Sequence, residues 1–236
     1  MTLNTNELPL DQLLNAVACM PARGLFVSFE GIDGAGKSTH IANLEKAFRE
    51  SGREVVLTRE PGGTPLAEKL RALILHDAMD PLAEALLCFA GRRDHLSQVI
   101  LPAIERGAVV LCDRFTDSTY AYQGGGRKFD TGILATLEQW VQQGVQPDLT
   151  IWFDLPPQVA EERRAAARTA DRFEALDTTF FDNVRAGYAA RMHAQPDRFV
   201  RLDALQSIPK VWDELCEKFG ERLAQHGKAP ARRAAP

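Results

Sequence analysis

No stretch of this 236-residue chain stays apolar for the ~20 residues that a membrane-crossing helix needs. The N-terminal residues carry Glu7 and Asp11 with no basic cluster ahead of an apolar core, so they do not read as a secretory leader. Cysteine is scarce. The four residues Cys19, Cys88, Cys112 and Cys216 lie far apart with no C-x-x-C pair, which removes zinc knuckles and dithiol redox motifs and points to a reducing, cytoplasmic setting. Positive charge is not in excess either: the formal net charge is −4, so the chain has no electrostatic footprint for nucleic acid. A site for an anionic substrate must then be built locally, from individually placed arginines. There is no internal repeat and no N-K-x-D motif of the kind that specifies guanine.

What is present is the make-up of one packed domain. With 45% hydrophobic and 25% charged residues the composition is that of an ordinary globular chain, long enough to bury a full core. The expected division is an N-terminal extension over 1–22, a single domain over 23–226 and a flexible tail over 227–236. Within the extension Leu8, Leu10, Leu13, Leu14, Val17 and Met20 predict a short amphipathic helix. Five short runs rich in Val, Leu and Phe read as strands, at Leu25–Glu30, 54–58, 108–112, Leu149–Asp154 and 198–202. Most do not alternate, which is the pattern of strands buried on both faces. Helical patterns separate them, over 38–48, 64–76, 131–143, 156–168, 178–194 and 209–225. A longer one follows Asp80-Pro81, with Asp80 as N-cap and Pro81 at the first helical position, and runs to about Arg106 with Pro102 perturbing its last turns. Strands alternating with helices predict a three-layer α/β/α fold around a five-stranded parallel sheet, with ligands bound beyond the carboxyl ends of the strands.

The first strand runs into Gly31-Ile32-Asp33-Gly34-Ala35-Gly36-Lys37-Ser38-Thr39, which matches G-x-x-x-x-G-K-[ST] and opens a helix. Strand, glycine-rich turn and helix in that order define a P-loop. Glycines let successive backbone N–H groups curl around phosphate oxygens, and the helix start adds unsatisfied donors and its positive dipole end. Lys37 is expected to reach the β- and γ-phosphates of a nucleoside triphosphate, and the Ser38 hydroxyl to bind Mg²⁺. A glycine-rich structural turn is the bland alternative, and the completeness and placement of the motif argue against it.

Further chemistry sits at other strand ends. The second strand runs into Thr58-Arg59-Glu60-Pro61-Gly62-Gly63-Thr64, which by itself is a turn. The third runs into Asp113-Arg114. An acid there suits a supporting role toward Mg²⁺, by analogy with Walker B; a buried structural Asp–Arg pair is the alternative. Residues 115–127 then bring hydroxyls, an amide, aromatic rings and cations into one stretch, the groups that a base-and-sugar pocket needs.

Taken together, FEGIDGAGKST at 29–39, TREPGGT at 58–64, CDRFTDSTYAYQGGGR at 112–127, PDLTIWFDL at 147–155 and DRFE at 171–174 resemble the bacterial thymidylate kinases, in order and spacing, over about 24–205. That resemblance implies transfer of the γ-phosphoryl group of ATP to dTMP by a homodimer. It implies that Arg71, Arg92 and Arg114 hold the acceptor phosphate and that Glu60 and Pro61 line the nucleoside site. Gln123 would bond the thymine edge, with Ser118 or Thr119 nearby, and Tyr122 would sit by the sugar and disfavour a 2′-hydroxyl. Asp33 would lie near the acceptor sugar and the transferring group, and a mobile lid would span about 161–176. This P-loop has no arginine, so the charge that stabilises the transferring phosphoryl must come from elsewhere. The lid offers Arg163 first and Arg168 second, with Arg164, Arg168 and Arg172 spaced on one helical face. Where the family often places a thymine-stacking Phe, an ungapped reading puts Cys88, with Phe89 one residue on. Either the helix shifts register or Phe89 serves from another angle.

Rival readings are a monophosphate kinase of other base preference, chiefly uridylate, and a P-loop switch that merely hydrolyses ATP. A chain that binds nucleotide mainly to assemble is a third. A switch has no use for three acceptor-site arginines.

Overall fold

A computed structural model of the chain describes residues 9–18, 24–165 and 177–226. Its centre is a five-stranded, wholly parallel sheet of β1 (Leu25–Glu30), β2 (Val55–Arg59), β3 (Val109–Asp113), β4 (Leu149–Asp154) and β5 (Phe199–Asp203), ordered β2-β3-β1-β4-β5. Val27 pairs with Leu111 on one side and Leu149 on the other. The sequence pattern explains the order. The central β1 and β4 are buried at every position, whereas the edge strands β2 and β5 each expose some of theirs. The edge strands lie one residue later than the expected 54–58 and 198–202, within the usual uncertainty of element ends.

Successive residues of the central strands point to opposite faces. Leu25, Val27, Phe29, Val109 and Leu111 face a core shared with α2 (Lys37–Glu50), α9 (Thr178–Ala194) and α10 (Ile208–His226). Phe26, Val110 and Cys112 face the other way, onto Leu96, Ile100 and Ala103. The helix α1 (Pro9–Ala18) belongs to the first layer, because Leu13 and Val17 are buried in the same cluster as Leu215 and Phe219 of α10. The amphipathic helix expected in the extension is therefore present over these residues, while Leu8 and Met20 lie outside the described residues.

The connecting helices are α3 (Pro65–His76), α4 (Pro81–His95), α5 (Leu101–Glu105), α6 (Thr116–Thr119), α7 (Thr131–Gln142) and α8 (Pro157–Ala165). Asp80 caps α4 as expected, its carboxylate accepting from the N–H groups of Leu82 and Ala83. Pro102 acts further upstream than its own turn. It has no N–H to give, and the helix widens to a π-helical segment at Leu96–Ile100 before α5. A second π-helical segment, Tyr120–Gly126, continues α6 where the sequence showed only a run of polar groups. Residues 116–126 are held from below: Asp117 is buried and accepts from Arg191 at 2.8 Å and from Arg198 at 2.6 Å, and Thr116 bonds Gln142. The P-loop leaves β1 at the centre of the sheet, flanked by β3 and β4, where connections diverge to the two sides and ligand crevices form.

Candidate active site

The P-loop bends through three glycines with positive φ, Gly31 at 130°, Gly34 at 89° and Gly36 at 85°, the last being the N-cap of α2. Side chains of Ile32 and Ala35 turn into the core, so the loop anchors itself there and offers its backbone to a ligand. Lys37 folds back over the loop, donating to the carbonyls of Gly31 at 3.0 Å and Ile32 at 3.3 Å, with Asp33 at 3.8 Å. Burial lowers its pKa, and the neighbouring Arg114 adds to that. Ser38 and Thr39 are exposed at the helix start.

Next to the P-loop lies a cavity of about 560 Å³. Asp33, Gly34 and Ser38 line it, together with Asp113 at the end of β3. The Asp113 Oδ1 atom is buried and has no hydrogen-bond partner. A carboxylate oxygen left so, sharing a cavity with the Ser38 hydroxyl, fits a hard divalent cation. Among the described residues no cluster of three or more His, Cys, Asp and Glu could cage a metal, and Mg²⁺ does not need one, since it takes few protein ligands and completes its shell with water and phosphate.

Every residue expected at the acceptor site lines this cavity except Phe89. Glu60 and Pro61 come from the turn after β2 and are joined by a cis peptide bond. Arg71 on α3 donates to the carbonyl of Pro61 at 2.9 Å. Arg92 on α4 donates from Nε to Glu60 at 2.7 Å and from Nη2 to Thr119 at 2.9 Å. Its guanidinium stands over the rings of Phe89 and Phe115, at 4.8 and 5.0 Å. Its Nη1 is buried with no partner, so the one free nitrogen of a clamped cation belongs to a cavity-lining residue. Phe89 is thus a backing for Arg92, buried with Ala85 and Leu134. Cys88 takes the cavity wall, together with Ile74 and Leu75. One helical step is about 100° of rotation, so both residues cannot face the same way, and no register shift brings Phe89 round.

Arg114 adopts a left-handed backbone with φ of 70°, uncommon for a residue other than glycine and the kind of local strain found at functional sites. Its Nη2 donates to Asp33 at 2.9 Å, and its Nη1 to Tyr188 at 3.1 Å and Ser118 at 3.3 Å. Behind it lies Glu30, which accepts from the Phe115 N–H at 2.7 Å and from the Ser118 hydroxyl at 2.5 Å. Burial, with Asp117 adding to it, pushes the Glu30 carboxyl up to about 8. Gln123 in the π-helical segment donates its amide to Glu84 at 2.7 Å. A carboxylate can only accept, so that bond fixes which end of the amide Glu84 takes and leaves the Gln123 oxygen as the acceptor for a ligand.

Arg163 on α8 donates to the carbonyl of Ala204 at 3.1 Å and lies 3.4 Å from that of Gly34, which puts a lid-side arginine on the P-loop and in the wall of the same cavity. Arg168 and Arg172 lie outside the described residues, as does most of the expected lid. Sequence reasoning missed Glu30, Glu84, His95 and Tyr188. Only Glu30 carried a signal, its position directly before the P-loop; the others are single residues inside helices.

A central parallel sheet, a P-loop at the diverging strands and an arginine-lined cavity beside it define a P-loop phosphotransferase. The thymidylate kinase family profile matches residues 29–215. Curated relatives named thymidylate kinase include one from Albidiferax ferrireducens, 59% identical over 204 residues, with 83% of this chain and 95% of that protein covered. Another, from Polaromonas sp. strain JS666, is 57% identical over 216 residues, covering 83% and 96%. A third, from Paracidovorax citrulli, is 57% identical over 211 residues, covering 86% and 96%. This chain belongs to the thymidylate kinase family.

Proposed function

We propose that the chain transfers the γ-phosphoryl group of ATP to dTMP, giving dTDP and ADP. The observation that carries this reading is the cavity beside the P-loop, where Arg71, Arg92 and Arg114 converge. An oxygen of the acceptor phosphate attacks the γ-phosphorus as the bond to the bridging oxygen of ADP breaks. The acceptor is already anionic, so positioning and charge stabilisation are the whole task. Lys37 and the P-loop amides hold the donor; Asp33 orients Arg114 beside it. Mg²⁺, held by Ser38 with Asp113 behind, would neutralise charge on the donor phosphates. Arg163 is placed to complete the charge as the lid closes and water is excluded.

The free oxygen of Gln123 suits the N3–H of thymine or uracil and opposes cytosine, whose N3 only accepts. Ile74, Leu75 and Cys88 offer an apolar wall for the thymine methyl, and such contacts discriminate by only about 10–200-fold. Modest turnover of dUMP is therefore expected. Tyr122 lines the same cavity and is the group that would meet a 2′-hydroxyl.

Leu66 and Leu73 on α3, Leu82 and Leu86 on α4, and Ile133 and Trp140 on α7 are exposed, Trp140 at 71%. These neighbouring helices form the face on which a homodimer would assemble. Light scattering of the purified chain reads that mass directly. Cys112 and Cys216, buried thiols outside any disulfide, are in keeping with a cytoplasmic setting.

The test is ADP release with ATP and Mg²⁺, comparing dTMP, dUMP, the ribose form of TMP and no acceptor. Turnover confined largely to dTMP is expected. ADP release that ignores the acceptor would mark an ATPase.

A further inference from the structure

His95 is buried at 0% exposure at the end of α4, outside the cavity lining, yet both of its ring nitrogens are engaged. Nδ1 lies 2.9 Å from Glu60 Oε1, and Nε2 lies 2.6 Å from the Thr58 hydroxyl. The Glu60 carboxylate can only accept, so Nδ1 carries a proton and donates to it, while the Thr58 hydroxyl, able to donate or accept, partners Nε2. Glu60 uses its other oxygen, Oε2, to take the Nε of Arg92 at 2.7 Å. Thr58 lies one residue before the end of β2 at Arg59, Glu60 begins the turn after it, and Arg92 sits three residues before His95 on the same helical face.

The turn is wrapped directly onto this imidazole. A Cβ added at Gly63, whose φ is +89°, would lie 2.5 Å from His95 Nε2. Only a residue without a side chain lets the loop close over the ring. The chain of contacts runs Thr58, His95, Glu60, Arg92, and ends at the Nη1 that is buried without a partner.

We propose that His95 is a positioning residue for the acceptor phosphate. It holds the Glu60 carboxylate in the plane that fixes Arg92, so that Nη1 is presented to the phosphate without rearrangement. Without that donor, Glu60 loses one anchor, and Arg92 gains rotational freedom that binding must then remove. The inference rests on the reading of this cavity as the dTMP site.

Two substitutions separate the two ring nitrogens. In His95→Asn the side-chain amide stands near the former Nδ1 and keeps a donor for Glu60. In His95→Gln the amide reaches the former Nε2 and leaves Glu60 without one. Steady-state KM for dTMP and for ATP, and direct binding of dTMP and of thymidine, are measured on the full-length chain. His95→Gln is expected to raise KM and Kd for dTMP roughly 10- to 100-fold, the range for losing one hydrogen bond to a charged group. KM for ATP and the affinity for thymidine, which has no phosphate, stay within about threefold, and His95→Asn stays near wild type. Equal losses in the two variants, or a loss of thymidine binding as large as that of dTMP, would mean a general packing role and overturn the inference. If His95→Gln does not fold, ¹⁵N spectra of the wild-type imidazole decide: a proton on Nδ1 is expected, and a ring protonated at Nε2 with a bare Nδ1 overturns the inference. A wild-type chain that does not bind dTMP would overturn the functional reading, and the inference with it.

Discussion

Arg114 donates from Nη2 to Asp33 Oδ1 at 2.9 Å, joining the end of β3 to the P-loop. Neither residue holds the other by sequence proximity; 81 positions separate them. Asp33 also stands 3.8 Å from Lys37, so one carboxylate orients a cation on the acceptor side and faces one on the donor side.

Asp33→Asn is therefore expected to lower kcat/KM for dTMP about 10- to 100-fold, the range for one hydrogen bond to a charged group. The melting temperature should move little, because Asp33 is partly exposed. Steady-state kinetics with thermal melting checks both. A value of kcat/KM within threefold of wild type would show that Arg114 is held well enough by Tyr188 and Ser118.

Arg163 reaches the P-loop carbonyl of Gly34 and that of Ala204 from the lid side. An arginine that stabilises charge on a transferring phosphoryl is worth on the order of 10³ or more in rate. Arg163→Ala is expected to lower kcat by about that factor with KM for both substrates little changed. Unchanged kcat in Arg163→Ala would transfer the role to Arg168, whose own Ala variant is the control.

Glu30 titrates near 8 in the folded chain against an ordinary value of 4.5. The folded state thus holds a proton that the unfolded chain releases first. Stability from this group is full below about 4.5 and declines as pH rises toward about 8. Buried His40 has a lowered pKa and an opposite slope, so the informative quantity is the difference between wild type and Glu30→Gln. The stability difference, wild type minus variant, should fall between pH 5 and 8 by roughly a few kcal/mol. Urea denaturation across that pH range reads it. A difference that does not vary with pH would place the Glu30 carboxyl in its usual range.

Two P-loop glycines with positive φ should respond differently to alanine. A Cβ at Gly31 would lie 2.5 Å from the backbone oxygen of Phe153, whereas at Gly36 nothing lies within 4 Å. Gly36→Ala should cost about 1–2 kcal/mol, the left-handed backbone alone. Gly31→Ala adds a clash with an atom that cannot turn aside, for roughly 2–5 kcal/mol in total. Denaturation without nucleotide measures folding apart from binding. Equal costs would show that β4 moves to make room.

Local chemistry was legible in the residues themselves. The P-loop, the Asp80 cap and the parallel sheet follow from spacing and hydrophobic pattern, because turns, helix starts and doubly buried strands are decided by near neighbours. Helix α1 was equally visible as an apolar stripe, but its packing against α10 was not, since nothing in the stripe names its partner. The resemblance to the family named the cavity residues, and the structure brings nine of the ten acceptor-site candidates to one wall or another. The exception is instructive. Whether Cys88 or Phe89 faces the cavity depends on how α4 is rotated against α3 and α7, and a single helical step reverses the answer. Likewise Glu84, His95 and Tyr188 are unremarkable letters within helices. They became functional candidates only when the fold set Glu84 on Gln123, His95 on Glu60 and Tyr188 on Arg114. Sequence alone determined that this chain carries a P-loop at a strand-to-helix turn, because backbone curvature is local. Which side chains hold the cavity's arginines in place was decided by tertiary packing, because those contacts join residues far apart in the chain.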